Sequence, residues 1–137
     1  MGSPTRTGDG RWNGAYTFDG VDDYIEVPSV GITSGSFTLA GWIKPAAIDY
    51  GFATFMGYDA GHRVLINCNN LRLLVQLGGN FFSSGTINPL DTRSHIVYMY
   101  DASSNKEYFY INGIYDSEDT PGATPTWDSQ FRIGQYD

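Results

Sequence analysis

The sequence predicts an all-β domain, built as an antiparallel β-sandwich, from its composition and the spacing of its turn residues. Of 137 residues, 17 are glycine, twelve are aspartate and 21 are aromatic, whereas only three are glutamate and two are lysine. Glycine and aspartate favour turns and aromatic residues favour strands, while glutamate and lysine favour helices. No segment has the apolar period of an amphipathic helix, and short apolar runs recur about every 8–12 residues, as in sandwiches and barrels.

Four strands are predicted in the first half of the chain. Ala15–Phe18 ends at an Asp-Gly pair, and Tyr24–Val27 ends at a proline. Phe37–Lys44 lies between a Ser-Gly-Ser turn and a proline, and Phe52–Met56 ends at a glycine. Each run is rich in β-branched or aromatic residues and is bounded by residues that interrupt strands, so we expect four short strands.

The second half of the chain predicts two hairpins and one further strand. Arg63–Asn67 and Leu71–Leu77 flank an Asn-Asn pair, and His95–Tyr100 and Glu107–Asn112 flank a polar hexapeptide. Both pairs match the pattern of two strands joined by a short polar loop. Phe131–Ile133 is the last predicted strand, and it ends at a glycine.

Three stretches are predicted to lie outside the strands. Gly78-Gly79-Asn80 should interrupt the chain, and the acidic segment Asp116–Asp128 should form a long mobile loop. We expect residues 1–137 to form one domain, with residues 1–10 disordered or added during cloning.

The second hairpin is predicted to have two apolar faces. Pairing Tyr100 with Glu107 places one set of side chains on the core face: Ile96, Tyr98, Tyr100, Phe109 and Ile111. The opposite face then carries Val97, Met99, Tyr108 and Tyr110. A sheet face of this kind is covered by a loop or forms a contact surface, so these four residues are candidates for an oligomer interface.

Four stretches, in order, resemble the laminin G-like, concanavalin A-like lectin/glucanase jelly-roll domains. They are Ala15–Pro28, Phe37–Pro45, His95–Gly113 (with its Tyr-Ile-Asn-Gly end) and Phe131–Gly134. The resemblance implies a jelly-roll sandwich that serves as a non-catalytic recognition module. It also implies that the partner is a carbohydrate or, as an alternative, a protein surface.

The sequence departs from the family pattern at its C-terminal end. The family continues past the position of Ile133-Gly134 into a further strand, whereas this chain stops at Asp137. The last strand is therefore absent, replaced by an N-terminal segment such as Arg11–Gly14, or supplied by another subunit. An unpaired edge strand favours association, so a structural protein that forms homodimers is the alternative function.

Aromatic side chains outside the strong strands are the candidates for sugar binding, because sugar C–H faces pack on aromatic rings. We take Tyr50, Tyr58 and Trp127 as candidate stacking residues and Asn69 as a candidate hydrogen-bonding residue. Trp127, in the acidic loop, is expected either to be exposed or to fold over the core. Trp42, in the middle of a strand, is expected in the core.

The sequence does not predict an enzyme. Glucanases that share the fold carry a Glu-x-Asp-x-Glu strand motif, whose alternation places the acids on one face. The three glutamates, Glu26, Glu107 and Glu118, each lack an aspartate two residues away. There is also no Gly-x-Ser-x-Gly motif of the kind that carries a nucleophilic serine.

One turn is a candidate calcium site, although no cofactor is certain. Asp19, Asp22 and Asp23 supply the carboxylate oxygens that Ca²⁺ prefers. The alternative is that these aspartates serve the turn itself, by hydrogen bonding to nearby backbone groups.

Charge and hydropathy exclude several partners. The net charge is −7, and no basic cluster is present, so nucleic acid is not an expected partner. No apolar run reaches the ~20 residues of a membrane span.

The single cysteine, Cys68, excludes an intramolecular disulfide. The N-terminus has no signal-peptide pattern, so the compartment stays unknown, although the composition is compatible with an extracellular or cell-surface module.

Overall fold

The chain forms short antiparallel strands joined mostly by tight turns. The computed structural model describes residues 2–46, 52–59, 61–67, 70–77, 80–87 and 89–134; within the strands, the side chains of residues 52, 58, 59, 80 and 87 are not described. The strands of the N-terminal half are β1 (Thr5–Thr7), β2 (Ala15–Thr17), β3 (Ile25–Val27), β4 (Phe37–Ile43), β5 (Phe52–Asp59) and β6 (His62–Asn67). Those of the C-terminal half are β7 (Arg72–Leu77), β8 (Asn80–Ile87), β9 (Ser94–Asp101), β10 (Lys106–Ile111), β11 (Ile114–Asp119) and β12 (Phe131–Ile133).

Two sheets pack face to face, and a small third sheet lies beside them. The four-stranded sheet has the order β11-β10-β9-β4, and the six-stranded sheet has the order β3-β12-β5-β6-β7-β8. The strands β1 and β2 form a separate two-stranded ribbon. The predicted all-β sandwich is confirmed. No helix among the described residues is long and apolar enough to cross a lipid bilayer.

The core lies between the two large sheets. The four-stranded sheet contributes Phe37, Ile96, Tyr98, Tyr100, Phe109 and Ile111. The six-stranded sheet contributes Met56, Val64, Ile66, Leu73, Val75, Leu77, Phe82 and Phe131. Burial of these side chains supplies the main driving force for packing one sheet on the other.

Both predicted hairpins are confirmed. In the second hairpin, Glu107 pairs with Tyr100, Phe109 with Tyr98, and Ile111 with Ile96, in the predicted register. All five predicted core residues of that hairpin are buried. In the first hairpin, β6 and β7 pair from His62 to Leu77 and from Asn67 to Arg72.

Two strands occupy segments that the sequence predicts to be breaks or loops. The strand β8 begins at Asn80, the last residue of the predicted break, and β11 occupies the first part of the predicted acidic loop. The turn between β10 and β11 explains the second case. Its residues Asn112 and Gly113 have φ values of 52° and 80°, the positive pair that a type I′ turn requires and that glycine adopts readily.

The N-terminal segment also differs from expectation. Residues 5–7 form β1, which pairs with β2, so this part of the first ten residues is not disordered. The segment Arg11–Gly14 forms the loop between β1 and β2 and, within the described residues, adds no strand to either large sheet. The idea that it replaces a missing last strand is therefore wrong.

The segment after β11 is anchored in the core. Trp127 is fully buried, and its backbone N–H and C=O exchange hydrogen bonds with Ile32 at 2.7 and 3.0 Å. Its ring meets that of Phe131 edge-on, with centroids 5.6 Å apart. The prediction of a mobile loop is wrong for this part, because its largest apolar side chain completes the core.

Trp42 is not a core residue. It is 39% exposed, and strand alternation places it opposite the inward-facing Phe37, Leu39 and Ile43. Gly41 faces inward beside it, where an added Cβ would lie 2.5 Å from Phe55 Cζ. The ring of Phe55 therefore fills the interior space at this position, and Trp42 points away from it.

Candidate functional site

The outer face of the four-stranded sheet carries an unusual concentration of aromatic side chains. We define the outer face by its outward-pointing residues, which are Thr38, Ala40, Trp42, His95, Val97, Met99, Lys106, Tyr108, Tyr110, Tyr115 and Glu118. Cross-strand pairing aligns these residues in rows that run across the sheet. A contiguous, partly exposed apolar surface of this kind is a candidate interaction site.

One end of the outer face holds a group of rings and one cation, which we call the indole cluster: Arg11, Trp12, Trp42 and His95. Trp12 is 77% exposed. Its ring meets Trp42 at a right angle with centroids 6.2 Å apart, and Trp42 lies 5.1 Å from the His95 ring. The Arg11 guanidinium carbon lies 5.9 Å from the Trp12 centroid and 5.7 Å from the Trp42 centroid.

Ion pairs hold the loop that presents Trp12 and Arg11. Asp9 pairs with Lys44, just after β4, at 3.2 Å, and with Arg93, just before β9. Arg93 also donates a hydrogen bond to the Asp9 carbonyl at 3.2 Å. A hydrogen bond from Lys44, followed by the charge of Arg93, lowers the pKa of Asp9. These contacts place the loop beside the end of the sheet where Trp42 and His95 pair.

The other end of the outer face is lined by tyrosines. Tyr110 and Tyr115 face each other across β10 and β11, with ring centroids 5.9 Å apart at 77°. Glu118 accepts a hydrogen bond from the Tyr115 hydroxyl at 3.3 Å and forms an ion pair with Lys106. Hydroxyl and charged groups thus border the apolar centre of the face.

The four residues predicted as an oligomer interface share the centre of this face. Val97 lies opposite Tyr110, and Met99 lies opposite Tyr108. All four are partly buried by their neighbours. The structure thus brings these residues together as predicted; their role in association stays a prediction.

The predicted ligand residues do not form a site in the described part of the molecule. Trp127 is buried and unavailable to a ligand, so its candidate role as an exposed binding residue is wrong. Tyr50 and Asn69 lie outside the described residues. Tyr58 belongs to β5, but its side chain is not described.

The predicted calcium residues form a turn that is stabilised by hydrogen bonds between its own carboxylates and backbone. The carboxylate oxygens of Asp19, Asp22 and Asp23 that could bind a cation all lie within 4.8 Å of one another. However, Asp19 Oδ1 already accepts the backbone N–H groups of Val21, Asp22 and Asp23 at 2.9, 3.2 and 3.3 Å. The hydrogen bond from Val21 is the largest cause that lowers the pKa of Asp19. Calcium binding stays a prediction, while the alternative role in the turn has direct hydrogen-bond support.

The three glutamates lie on three different faces of the sandwich. Glu26 is on the outside of the six-stranded sheet, Glu118 is on the outer face, and Glu107 points into the core. No two of them therefore share a cleft, as a pair of catalytic glutamates in a glycosidase would.

The outside of the six-stranded sheet carries a row of mostly polar residues, unlike the aromatic outer face. Pairing across the sheet aligns Glu26, Arg132, Gly57, Arg63, Gln76 and Phe81 in one row. Arg63 is buried and donates from Nε to Gln76 Oε1 at 2.8 Å. Among the described side chains, Phe81, 55% exposed, is the one strongly exposed aromatic residue of this surface.

The sequence itself indicates that Trp42 is exposed, although we predict it in the core. In Phe37-Thr38-Leu39-Ala40-Gly41-Trp42-Ile43, alternation places Trp42 with Thr38 and Ala40 rather than with the apolar set. No comparable signal identifies Trp12, because its position depends on the ion pairs of Asp9 with two residues distant in sequence.

Solved structures share the fold of this chain. A proposed carbohydrate-binding protein from Bacteroides ovatus ATCC 8483 superposes with a TM-score of 0.67 and 23% identity, over 82% of this chain and 34% of that one. Domain 4 of AbnA, a GH43 extracellular arabinanase from Geobacillus stearothermophilus solved with arabinotriose, gives 0.70 and 19%, over 97% and 66%. A sialidase from Trypanosoma rangeli gives 0.52 and 19%, over 73% and 17%.

This chain spans only a third of the length of the Bacteroides protein and two thirds of the AbnA domain chain. At these identities, the likeness shows a fold that carbohydrate-binding domains share. No curated protein matches the sequence. The profile of one family matches residues 19–137. With the two-sheet sandwich and the motifs of its strands, this match shows that the chain belongs to the concanavalin A-like lectin/glucanases superfamily.

Proposed function

We propose that this chain is a non-catalytic carbohydrate-binding module whose ligand lies on the outer face, with the indole cluster as its anchor. The observation that carries the proposal is the pair Trp12 and Trp42, which are 77% and 39% exposed on a loop and a strand held together by ion pairs. Two indoles kept at a surface, rather than in a core, need a reason for their exposure.

The chemistry of the outer face suits a sugar ring. The apolar C–H face of a sugar packs on an aromatic ring, while its hydroxyl groups need donors and acceptors at the border. Trp42 supplies the ring, and the adjacent His95 ring supplies polar nitrogen atoms, while the Lys106–Glu118 pair lies at the far end of the same face. The Bacteroides protein, proposed to bind carbohydrate, and the AbnA domain, solved with arabinotriose, support the same class of ligand.

A glycan array followed by calorimetric titration of the best-bound glycan tests the proposal. Loss of a ring that stacks on the ligand should weaken binding at least about tenfold, which corresponds to about 1.4 kcal/mol. We expect this loss for Trp42→Ala and a smaller loss for Trp12→Ala. Phe81→Ala is the matched control, because it removes an exposed aromatic ring from the opposite surface.

Self-association through the same face is the competing use of these residues. In that case the chain would be a dimer by light scattering, Tyr110→Glu would dissociate it, and no glycan would bind. That set of results would overturn the proposed function. Specific binding that Trp42→Ala abolishes and Phe81→Ala leaves unchanged would support it.

A further inference from the structure

We infer that the indole cluster selects carbohydrates that carry an anionic substituent, a carboxylate or a sulfate, and that Arg11 binds this group. The inference rests on the proposed function, since it specifies the class of sugar that the same site takes. Its basis is the position and the charge environment of Arg11.

Arg11 lies against both indoles of the cluster. Its guanidinium carbon is 5.7 and 5.9 Å from the two ring centroids, within the range of a cation–π interaction. These two contacts place the guanidinium beside both rings. Its N–H donors form a fork whose geometry matches a carboxylate or sulfate.

The charge of Arg11 is not neutralised within the described residues. The nearest acidic residue in the same loop, Asp9, is already paired with Lys44 and Arg93. No carboxylate of the described chain forms an ion pair or a hydrogen bond with Arg11. Arg11 is therefore a cation with available donors, placed beside two exposed rings.

The surroundings of the cluster carry a small excess of positive charge, although the chain as a whole has a net charge of −7. Lys44 and Arg93 flank Asp9, and the backbone of Asp91 binds that of Pro45 beside them, so Arg11, Lys44 and Arg93 face two carboxylates at this corner. Such a local reversal of sign attracts an anion to one place on the surface and disfavours its binding elsewhere. A neutral sugar would make no use of this arrangement.

The two residues that create the arrangement lie outside the part of the chain that the family profile matches. Arg11 and Trp12 precede the matched residues 19–137, and the loop that carries them joins the two strands of the separate ribbon.

The test is an array of glycans in matched pairs, each acidic glycan printed beside its neutral counterpart. Uronic-acid oligosaccharides are paired with their methyl esters, sialylated glycans with their methyl esters, and sulfated glycans with desulfated ones. The whole chain is compared with Arg11→Gln, which keeps a polar side chain without the charge, and with Phe81→Ala as the control.

We expect the unmodified chain to bind the acidic member of at least one pair about tenfold more tightly than its neutral partner. Arg11→Gln should reduce this preference, taken as the ratio of the two Kd values measured with the same variant, to within about twofold, and Phe81→Ala should leave the ratio unchanged. The carboxylate and sulfate arms identify which anion is bound.

Two results would overturn the inference in distinguishable ways. Equal binding of both members by the unmodified chain, or a preference that survives in Arg11→Gln, would remove the role of Arg11 and leave the carbohydrate-binding function standing. Absence of binding to every glycan by a protein whose circular dichroism shows the folded sheet would overturn the proposed function together with the inference.

Discussion

At the scale of single residues, Glu107 is the most unusual group in the core. It is 3% exposed, and the Tyr98 hydroxyl donates a hydrogen bond to its Oε2 at 2.8 Å. Burial raises the pKa of Glu107, the hydrogen bond from Tyr98 opposes this rise, and the charge of Asp119 adds to it. A buried carboxylate with one neutral donor favours its protonated form.

The raised pKa fixes the sign of a pH dependence. A carboxyl group of this kind contributes stability that is fully present below its unfolded pKa, near 4.5, and that is lost as the pH rises through its higher folded value. Replacing Glu107 by glutamine keeps an acceptor for Tyr98 without the charge. We therefore expect Glu107→Gln to raise the free energy of unfolding at pH 7 by about 1 kcal/mol.

Urea unfolding between pH 4 and pH 8 measures this effect. The loss of stability with rising pH should be smaller in Glu107→Gln than in the unmodified chain. Glu118→Gln is the control, because it changes an exposed glutamate of the next strand. The same pH slope in Glu107→Gln and the unmodified chain would show that Glu107 does not titrate as argued.

Replacement of Trp127 and replacement of Trp42 should lower the free energy of unfolding by different amounts. Trp127 is completely buried, so Trp127→Ala should lower the free energy of unfolding by about 3–5 kcal/mol through lost burial and the cavity that it leaves. Trp42 is 39% exposed, so Trp42→Ala should cost less than about 1 kcal/mol. Thermal unfolding followed by circular dichroism compares the two. A large loss for Trp42→Ala would assign it a structural role and weaken its use as a binding probe.

At the scale of elements, Asp116 joins the edges of the two large sheets. It lies in β11, and its carboxylate accepts the backbone N–H groups of Gly85 and Thr86 in β8 at 2.6 and 2.9 Å. The Thr86 hydroxyl and the Ser117 hydroxyl, the latter at 2.7 Å, donate to the same carboxylate. These bonds close one side of the sandwich, where the edge strands would otherwise have unpaired groups.

Removal of this carboxylate should open the contact locally. Although burial raises the pKa of Asp116, the hydrogen bonds from Thr86 and Ser117 and from the backbone outweigh it, and the pKa is lowered. The stabilisation is therefore present above the unfolded value near 3.8 and is lost as the pH falls through the folded value. Asp116→Ala should cost about 1 kcal/mol, because the site is partly exposed to solvent.

Hydrogen exchange gives the more specific measurement. The amides of Gly85 and Thr86 should exchange faster in Asp116→Ala, while those of the central strands β9 and β10 should keep their protection. Glu118→Ala, two residues along the same strand, should leave both amides protected. Unchanged exchange at Gly85 and Thr86 in Asp116→Ala would show that β8 is held by its pairing with β7 alone.

Whether a strand could be predicted depends on whether the residues that determine it lie close together in the sequence. Strands with strong apolar alternation and short polar loops, such as β9 and β10, could be predicted down to their register. The strand β11 could not, because Ile114–Asp119 contains three acidic residues, although it pairs with β10 along its whole length. Its strand conformation depends on the partner strand, and propensity alone favours a loop.

At the scale of the whole molecule, the fold was accessible to sequence reasoning and the candidate site was not. The family motifs lie in the sheets, whereas the indole cluster combines a strand residue, Trp42, with a loop outside the family pattern. The contact between Trp12 and Trp42 follows from ion pairs between Asp9 and residues up to 84 positions away. Such contacts have no local signature in one sequence, so only the folded molecule brings them together.

Binding at the indole cluster should stabilise the whole chain, because a ligand that binds only the folded state raises its stability by mass action. At a glycan concentration of 100 times its Kd, this gain is about 2.7 kcal/mol. For a domain of this size, the gain should raise the Tm by roughly 10 °C. Differential scanning calorimetry with the best-bound glycan measures the shift. Phe81→Ala should retain the full shift, and Trp42→Ala, with binding weakened about tenfold, should retain about half of it at the same glycan concentration. An equal shift in both variants would place the ligand outside the outer face, even if the array showed specific binding.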